Sequence, residues 1–369
     1  MSVQASIAPD GRSVWLAWPD GIVREIGARW LFDHAEEARD PVSGQRLHGA
    51  LELAAASQVG EARMEGDVLE AWFAPSGVRR RIRVAPLRRP SADEGAVLWP
   101  SPEPIRQLKP IPFDDFLTDD DALREALRRV GCYGLALLTG AREEPGEVER
   151  AVARFGFVRE TNYGRVFDVK IEPTPRNLAF SDRGLELHTD NPYRDPVPTL
   201  QLLHAIVADP KGGETSFVDG FAQAETLRVG VPEAFASLSE MSARFRYSDA
   251  SGACWTASAP VIELDAAGGV RTIRFNHRAL DLPPDDAESG ERWYDAYLAF
   301  HRQAHMPGAA FERTLLPGEM AIFDNRRILH GRRGLSGDSP RWLQGCYADR
   351  DGLGATLARL QAYNLGRTR

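Results

Sequence analysis

Short stretches in which apolar and polar residues alternate open the chain: 13–18 (SVWLAW), 21–26 (GIVREI), 68–73 (VLEAWF) and 80–85 (RRIRVA), with Asp-Gly, Pro and Gly punctuation between them. A period of two broken by turn residues predicts a small β-rich domain over 1–88. Seven prolines then fall between Pro86 and Pro112. Proline serves neither a helix interior nor a central strand, so 89–112 is predicted to be a linker. Beyond it the period changes. Residues 119–131 (DDDALREALRRVG) carry an acidic cap and an apolar stripe at helical spacing, stopped by Gly131, and 146–156 is of the same kind. The stretches 199–208, 213–219, 271–276, 319–325 and 341–348 are short and rich in β-formers, and helices are predicted near 221–239 and 290–305. This order suits a mainly β domain with flanking helices over 113–369, a jelly roll rather than a dinucleotide or P-loop fold, whose glycine-rich strand-to-helix turn is absent.

Composition narrows the partners. With 43% hydrophobic and 27% charged residues the 369-residue chain is of ordinary globular make-up. A net charge of −8 and no basic run speak against nucleic acid and anionic membranes as partners. The opening residues lack a signal peptide's basic and apolar regions, and no eighteen apolar residues run together, so a cytoplasmic location is expected. Three scattered cysteines, Cys132, Cys254 and Cys346, suit reduced thiols.

The candidate chemistry is a metal site. His188 and Asp190 stand two apart, so on an extended strand both side chains face one way. His330 follows a Pro-Gly turn and a short strand. Two imidazoles and one carboxylate on one face of iron(II) leave open positions for a bidentate co-substrate and oxygen. Arg341, eleven residues past His330, can grip the distal carboxylate of 2-oxoglutarate with both arms of its guanidinium, and Thr215 can donate a hydroxyl to the same group.

These residues stand among others that carry a resemblance: Tyr163-Gly164, Asn177 to Phe180, 187–193 (LHTDNPY), 200–221, 275–278 (FNHR), 323–332 (FDNRRILHGR) and 341–352. From about Tyr163 to Asp351 the chain resembles the γ-butyrobetaine hydroxylase-like branch of the taurine dioxygenase superfamily. The resemblance implies a double-stranded β-helix, with Fe(II) held by His188, Asp190 and His330, and with 2-oxoglutarate as co-substrate against Arg341, Thr215 and Leu203. It also implies a homodimer and a small-molecule substrate. Trp18 to Gly21 and Trp30 to Asp33 resemble the family's N-terminal domain. Where many relatives have zinc-binding cysteines this chain has Ala35, Glu37 and Asp40, so no zinc is expected.

The resemblance further implies a substrate with a trimethylammonium group, caged by aromatic faces at Tyr163, Phe167 and Tyr347. Asn191 stands where animal enzymes have a cage tyrosine, and Phe180 replaces a tyrosine associated with the substrate's acid end. Asn177 and Asn276 remain there as hydrogen-bond donors. Arg278, expected beside Asn276 on one strand face, adds a positive charge suited to a phosphonate dianion, which leans toward hydroxylation of 2-trimethylaminoethylphosphonate. Arg278 is equally open to a structural ion pair with an acidic neighbour. γ-Butyrobetaine, trimethyllysine and taurine stay as alternative substrates, and a non-catalytic binder or a hydrolase as alternative classes. His204 reads as a satisfied core histidine, or one that supports the ligands from behind, rather than as a fourth ligand, His277 as turned away from the pocket, and His34, His48, His301 and His305 as surface residues.

Overall fold

The computed structural model describes residues 2–88, 95–175, 178–209, 211–249, 251–283 and 287–367, the last six by their backbone alone. The chain divides into two compact units, Met1–Glu94 and Gly95–Arg369.

In the first unit two three-stranded antiparallel sheets, Gln4–Ile7 with Ser13–Ala17 and Val23–Gly27, and Ala56–Glu65 with Val68–Pro75 and Val78–Arg83, enclose one core. The alternation is literal: Val14 and Leu16 are fully buried while Trp15 between them is exposed. Ala35 lies in this core, Glu37 accepts a hydrogen bond from the Arg81 amide at 3.0 Å, and Asp40 accepts from Ser43. His48 is not a surface residue. Its side chain is buried edge-on against Phe32 and lies 3.2 Å from Asp33.

The second unit is built on two sheets. The larger runs in the order Phe167–Val169, Trp342–Ala348, Leu200–Val207, Met320–Asp324, Leu135–Thr139 and Ile111–Pro112, all antiparallel except the last pair. The smaller runs Leu185–His188, Ile328–Arg332, Thr215–Asp219 and Phe311–Arg313. Leu203, Leu343 and Phe323 from the first pack on Phe217, Phe311 and Ile328 from the second. The opposite face of the larger sheet, with Leu200, Leu202 and Ile322, is covered by the helix Asp120–Tyr133 through Leu123, Leu127 and Val130. Helices Gly220–Gly230, Pro232–Glu240 and Ala287–Ala304 cover the smaller sheet. No helix among the described residues is long and apolar enough to cross a membrane.

Four local expectations are corrected. The first long helix passes through Gly131 to Tyr133 and is capped by Gly134, whose φ of 78° calls for glycine and where a Cβ would lie 2.7 Å from Ile328 Cδ1. The helix expected over 221–239 is two, because Pro232 suits a first turn and breaks the ladder before it. The strand expected through Asn276 ends at Ile273, and His277–Ala279 form a 3-10 turn. Finally, residues 89–94 of the expected linker lie outside the described residues, but 95–112 are not a linker. Glu103–Arg106 is helical with proline in its first turn, Ile111–Pro112 joins the larger sheet, and Trp99 is fully buried.

What draws 95–99 in is a buried ion pair. Arg327 donates from Nε to Asp219 Oδ1 at 2.9 Å and from Nη2 to Oδ2 at 2.6 Å, and its remaining donors reach the carbonyls of Cys132 and Val97. Asp219 also accepts from the Trp99 amide and caps the helix Gly220–Gly230 through the Phe221 and Ala222 amides. Removing one partner strands a buried charge, so Asp219→Ala is expected to destabilise this unit by about 3–5 kcal/mol in equilibrium urea unfolding. A loss under about 1 kcal/mol would match a merely exposed pair and contradict the assignment.

Candidate active site

The strand Leu185–His188 lies antiparallel to Ile328–Arg332 in a register that sets His188 opposite His330. Their ring centres are 4.3 Å apart. Asp190 follows the strand end rather than continuing it. Asn191, the one non-glycine among the described residues with positive φ (54°), turns the chain there. Asn325 holds the turn: its Oδ1 accepts from the Asp190 amide at 2.7 Å, and its Nδ2 donates to the carbonyls of Asp190 and Pro198. Asp190 Oδ1 thereby lies 3.3 Å from His188 Nε2, and Oδ2 lies 3.8 Å from His330 Nε2. One ligand atom from each of the three fits within 4.8 Å.

The electrostatics suit a divalent metal. His188 Nδ1 donates to the Glu186 carbonyl at 2.8 Å, which turns Nε2 toward Asp190 and fixes the ring for metal ligation. Burial and the neighbouring His188 push the His330 imidazole down to about 3, so it is neutral. Burial would raise the Asp190 carboxyl, but both imidazoles and the Tyr347 hydroxyl, which donates to Oδ2 at 2.7 Å, outweigh it and hold the group ionised.

A cavity of about 270 Å³ opens on the triad. At one side Arg341, 6% exposed, donates from Nη2 toward Thr215 Oγ1 at 3.5 Å, while its Nη1 has no partner. Burial and the charge of Arg332 lower its guanidinium to about 9, so it stays cationic at neutral pH. Gly213 makes room for it: a Cβ there would lie 2.9 Å from Arg341 Cδ. Leu203 lines the same cavity. A buried guanidinium with an unpartnered donor beside a threonine hydroxyl fits an anionic co-substrate of 2-oxoglutarate's kind.

Aromatic rings form another wall. Tyr163 lies 6.2 Å from Phe167, which lies 5.1 Å from Tyr347. Tyr193 and Tyr247, stacked at 5.1 Å, extend it. Phe180, in the turn Leu178–Phe180, Asn191, Asn276 and Arg278 also line the cavity, whereas Asn177 lies outside the described residues. Asn191 Oδ1 accepts from the Tyr193 hydroxyl at 2.6 Å. Asn276 donates to the Thr189 carbonyl and leaves its Oδ1 unpartnered. Arg278 reaches the cavity from the 3-10 turn rather than from a strand face, and makes no ion pair among the described residues. His204 is buried as expected but unsatisfied. It faces away from the cavity with neither ring nitrogen bonded, and burial keeps it neutral.

Sequence reasoning missed Asn325, Tyr193, Tyr247 and Arg332. The first two sat inside motifs already singled out, and Arg332 shares a strand face with His330. Tyr247 comes from the strand Ser242–Ser248, which no motif touches. Because the Tyr347 hydroxyl orients Asp190, Tyr347→Phe should weaken iron(II) binding by about tenfold or more in a competition titration with the fold intact. Unchanged affinity would show that the hydrogen bond does no orienting.

The description "Taurine catabolism dioxygenase TauD, TfdA family" matches residues 100–347. A γ-butyrobetaine dioxygenase of Pseudomonas sp. (strain AK-1) is 35% identical over 365 residues, which is 98% of this chain and 82% of that protein. The Homo sapiens γ-butyrobetaine dioxygenase is 34% identical over 253 residues, 66% of this chain and 65% of its own length. Trimethyllysine dioxygenase of Bos taurus is 29% identical over 265 residues, 69% and 62% of the two chains. The chain thus spans just under two thirds of these two mammalian relatives. With two imidazoles and a carboxylate converging beside a buried arginine and these likenesses along its length, the chain belongs to the TauD/TfdA family and is an Fe(II)/2-oxoglutarate-dependent dioxygenase.

Proposed function

We propose that the chain hydroxylates a small zwitterion bearing a trimethylammonium group, and that this substrate is 2-trimethylaminoethylphosphonate, converted to its 1-hydroxy product. The reading includes a double-stranded β-helix, its two faces being the two sheets of the second unit. The observation that carries it is the pairing, in one cavity, of an aromatic wall with guanidinium groups that make no direct ion pair among the described residues.

A quaternary ammonium group offers no hydrogen-bond donor, so ring faces are its natural partners, at up to about 2 kcal/mol per desolvated contact. Tyr163, Phe167, Tyr193, Tyr247 and Tyr347 supply such faces. Burial raises the Tyr163 and Tyr347 hydroxyls and pushes that of Tyr193 up to about 12, so the rings stay neutral phenols. At the substrate's acid end Asn276 brings an amide, and Arg278 a full charge. Arg246, from the strand Ser242–Ser248 that pairs with Leu280–Leu282 just beyond Arg278, brings a second. A dianion gains more from two guanidinium groups than a monoanion does.

Iron held by His188, Asp190 and His330 would supply oxygen activation coupled to the decarboxylation of 2-oxoglutarate to succinate. The chain's own share is positioning. Arg341 and Thr215 anchor the co-substrate's distal carboxylate, Asn325 and Tyr347 fix Asp190, and the aromatic wall presents the substrate carbon and excludes water.

The second reading is a carboxylate substrate, γ-butyrobetaine. It is favoured by the 35% identity, over nearly the whole chain, to a Pseudomonas protein named for that compound. Trimethyllysine, taurine and a non-catalytic binding role are further alternatives. Arg278→Ala separates the first two: a loss of about tenfold or more in kcat/KM for the phosphonate, with little loss for the carboxylate, supports the proposal. Equal small effects on both would overturn it.

A further inference from the structure

Arg341 is not alone at its end of the cavity. Arg332 lies on the strand Ile328–Arg332 two residues beyond His330, and a strand's period of two turns both side chains to the cavity. Across the neighbouring strand its register partner is Thr215, the residue whose hydroxyl meets Arg341. Arg332 is only 6% exposed, as is Arg341. Neither makes an ion pair among the described residues. The opposing charges they feel, Asp182 for Arg332 and Asp209 for Arg341, stand outside ion-pair distance, so neither guanidinium is directly paired, and burying two such groups without a bound anion is costly.

The guanidinium of Arg332 is also held still. Nη1 donates to the Ala179 carbonyl at 3.2 Å, and Nη2 donates to the carbonyls of Ser181 and Arg183, both at 2.7 Å. Its Nε is buried without a partner, as is Nη1 of Arg341. Two orphan donors, on two arginines flanking one threonine, line the same cavity. Buried donors of this kind are nearly always satisfied in the working state, and here nothing among the described residues satisfies them.

We propose that Arg332 is a second co-substrate-binding arginine, so that the distal carboxylate of 2-oxoglutarate is held between Arg332 and Arg341 above Thr215. The three carbonyls orient Arg332 before the ligand arrives, and the same bonds tie the segment 179–183 to the strand carrying His330. Leu178, Ala179 and Phe180 line the cavity, so co-substrate binding and the shape of the substrate pocket share one residue.

The test is calorimetric titration of the iron(II)-loaded protein without oxygen, using 2-oxoglutarate and, as the control lacking the distal carboxylate, 2-oxobutyrate by competition. In Arg332→Gln the affinity for 2-oxoglutarate should fall about tenfold or more, while that for 2-oxobutyrate changes by less than about threefold. Arg332→Lys keeps the charge but cannot hold three carbonyls at once, so it serves if the glutamine variant does not fold. It should show the same diacid-selective loss in smaller measure. An equal loss for both acids, or no loss, would make Arg332 a structural clamp and overturn the proposal.

Discussion

The site depends on one strand pairing. Leu185–His188 and Ile328–Arg332 lie antiparallel, and their register alone sets two imidazoles 142 positions apart in sequence face to face. A slip of one residue in either strand would turn its imidazole to the opposite side of the sheet and part the pair. Everything else near the triad refines that pairing. Asn325 sits in the short turn that leads from the larger sheet into Ile328–Arg332, and from there it grips the backbone of Asp190 on both sides. Tyr347 arrives from the larger sheet and pins the carboxylate itself. The triad is therefore a junction of the two sheets, which is why a packed core beneath it, with Phe217, Phe323 and Ile328, matters to the chemistry above.

Charge is distributed around the cavity with a clear polarity. Among the described residues the only carboxylate lining it is Asp190, committed to the two histidines and Tyr347. Four arginines line it among the same residues, Arg246, Arg278, Arg332 and Arg341, against an overall net charge of −8. The local field thus opposes the global one. A protein that repels nonspecific anions at long range still draws small dianions into this pocket. Aromatic faces without free charge occupy the remaining wall, the complement expected for a ligand whose two ends differ in sign.

Much of this was legible in the residues themselves. His188, Asp190, His330, Arg341 and Thr215 each sit in a short motif; His188, His330 and Thr215 lie on strands, whereas Asp190 reaches the site from the turn after its strand and Arg341 from the residue before its own. The strands 199–208, 319–325 and 341–348 show themselves by composition because they are buried on both sides and read as apolar runs. The failures have a common cause. The linker, the end of the strand at Ile273 and the state of His204 are decided by tertiary partners: Asp219 and Arg327 pull Trp99 into the core, and a turn rather than a ladder follows Phe275. Local pattern carries no record of such partners. Tyr247 is hidden for the same reason, since one tyrosine on an ordinary-looking strand becomes a pocket wall only through the hairpin's placement. Arg332 was visible in the alternation with His330, but a second cation beside Arg341 becomes meaningful only when both are seen to be buried.

The central claim is that the three converging side chains form the iron site at which 2-oxoglutarate is consumed. Its most direct test is succinate formed from 2-oxoglutarate under oxygen by the iron(II)-loaded protein and by its His188→Ala variant, both verified as folded. The parent should produce succinate steadily and the variant none above background; undiminished turnover with His188 removed would contradict the iron assignment.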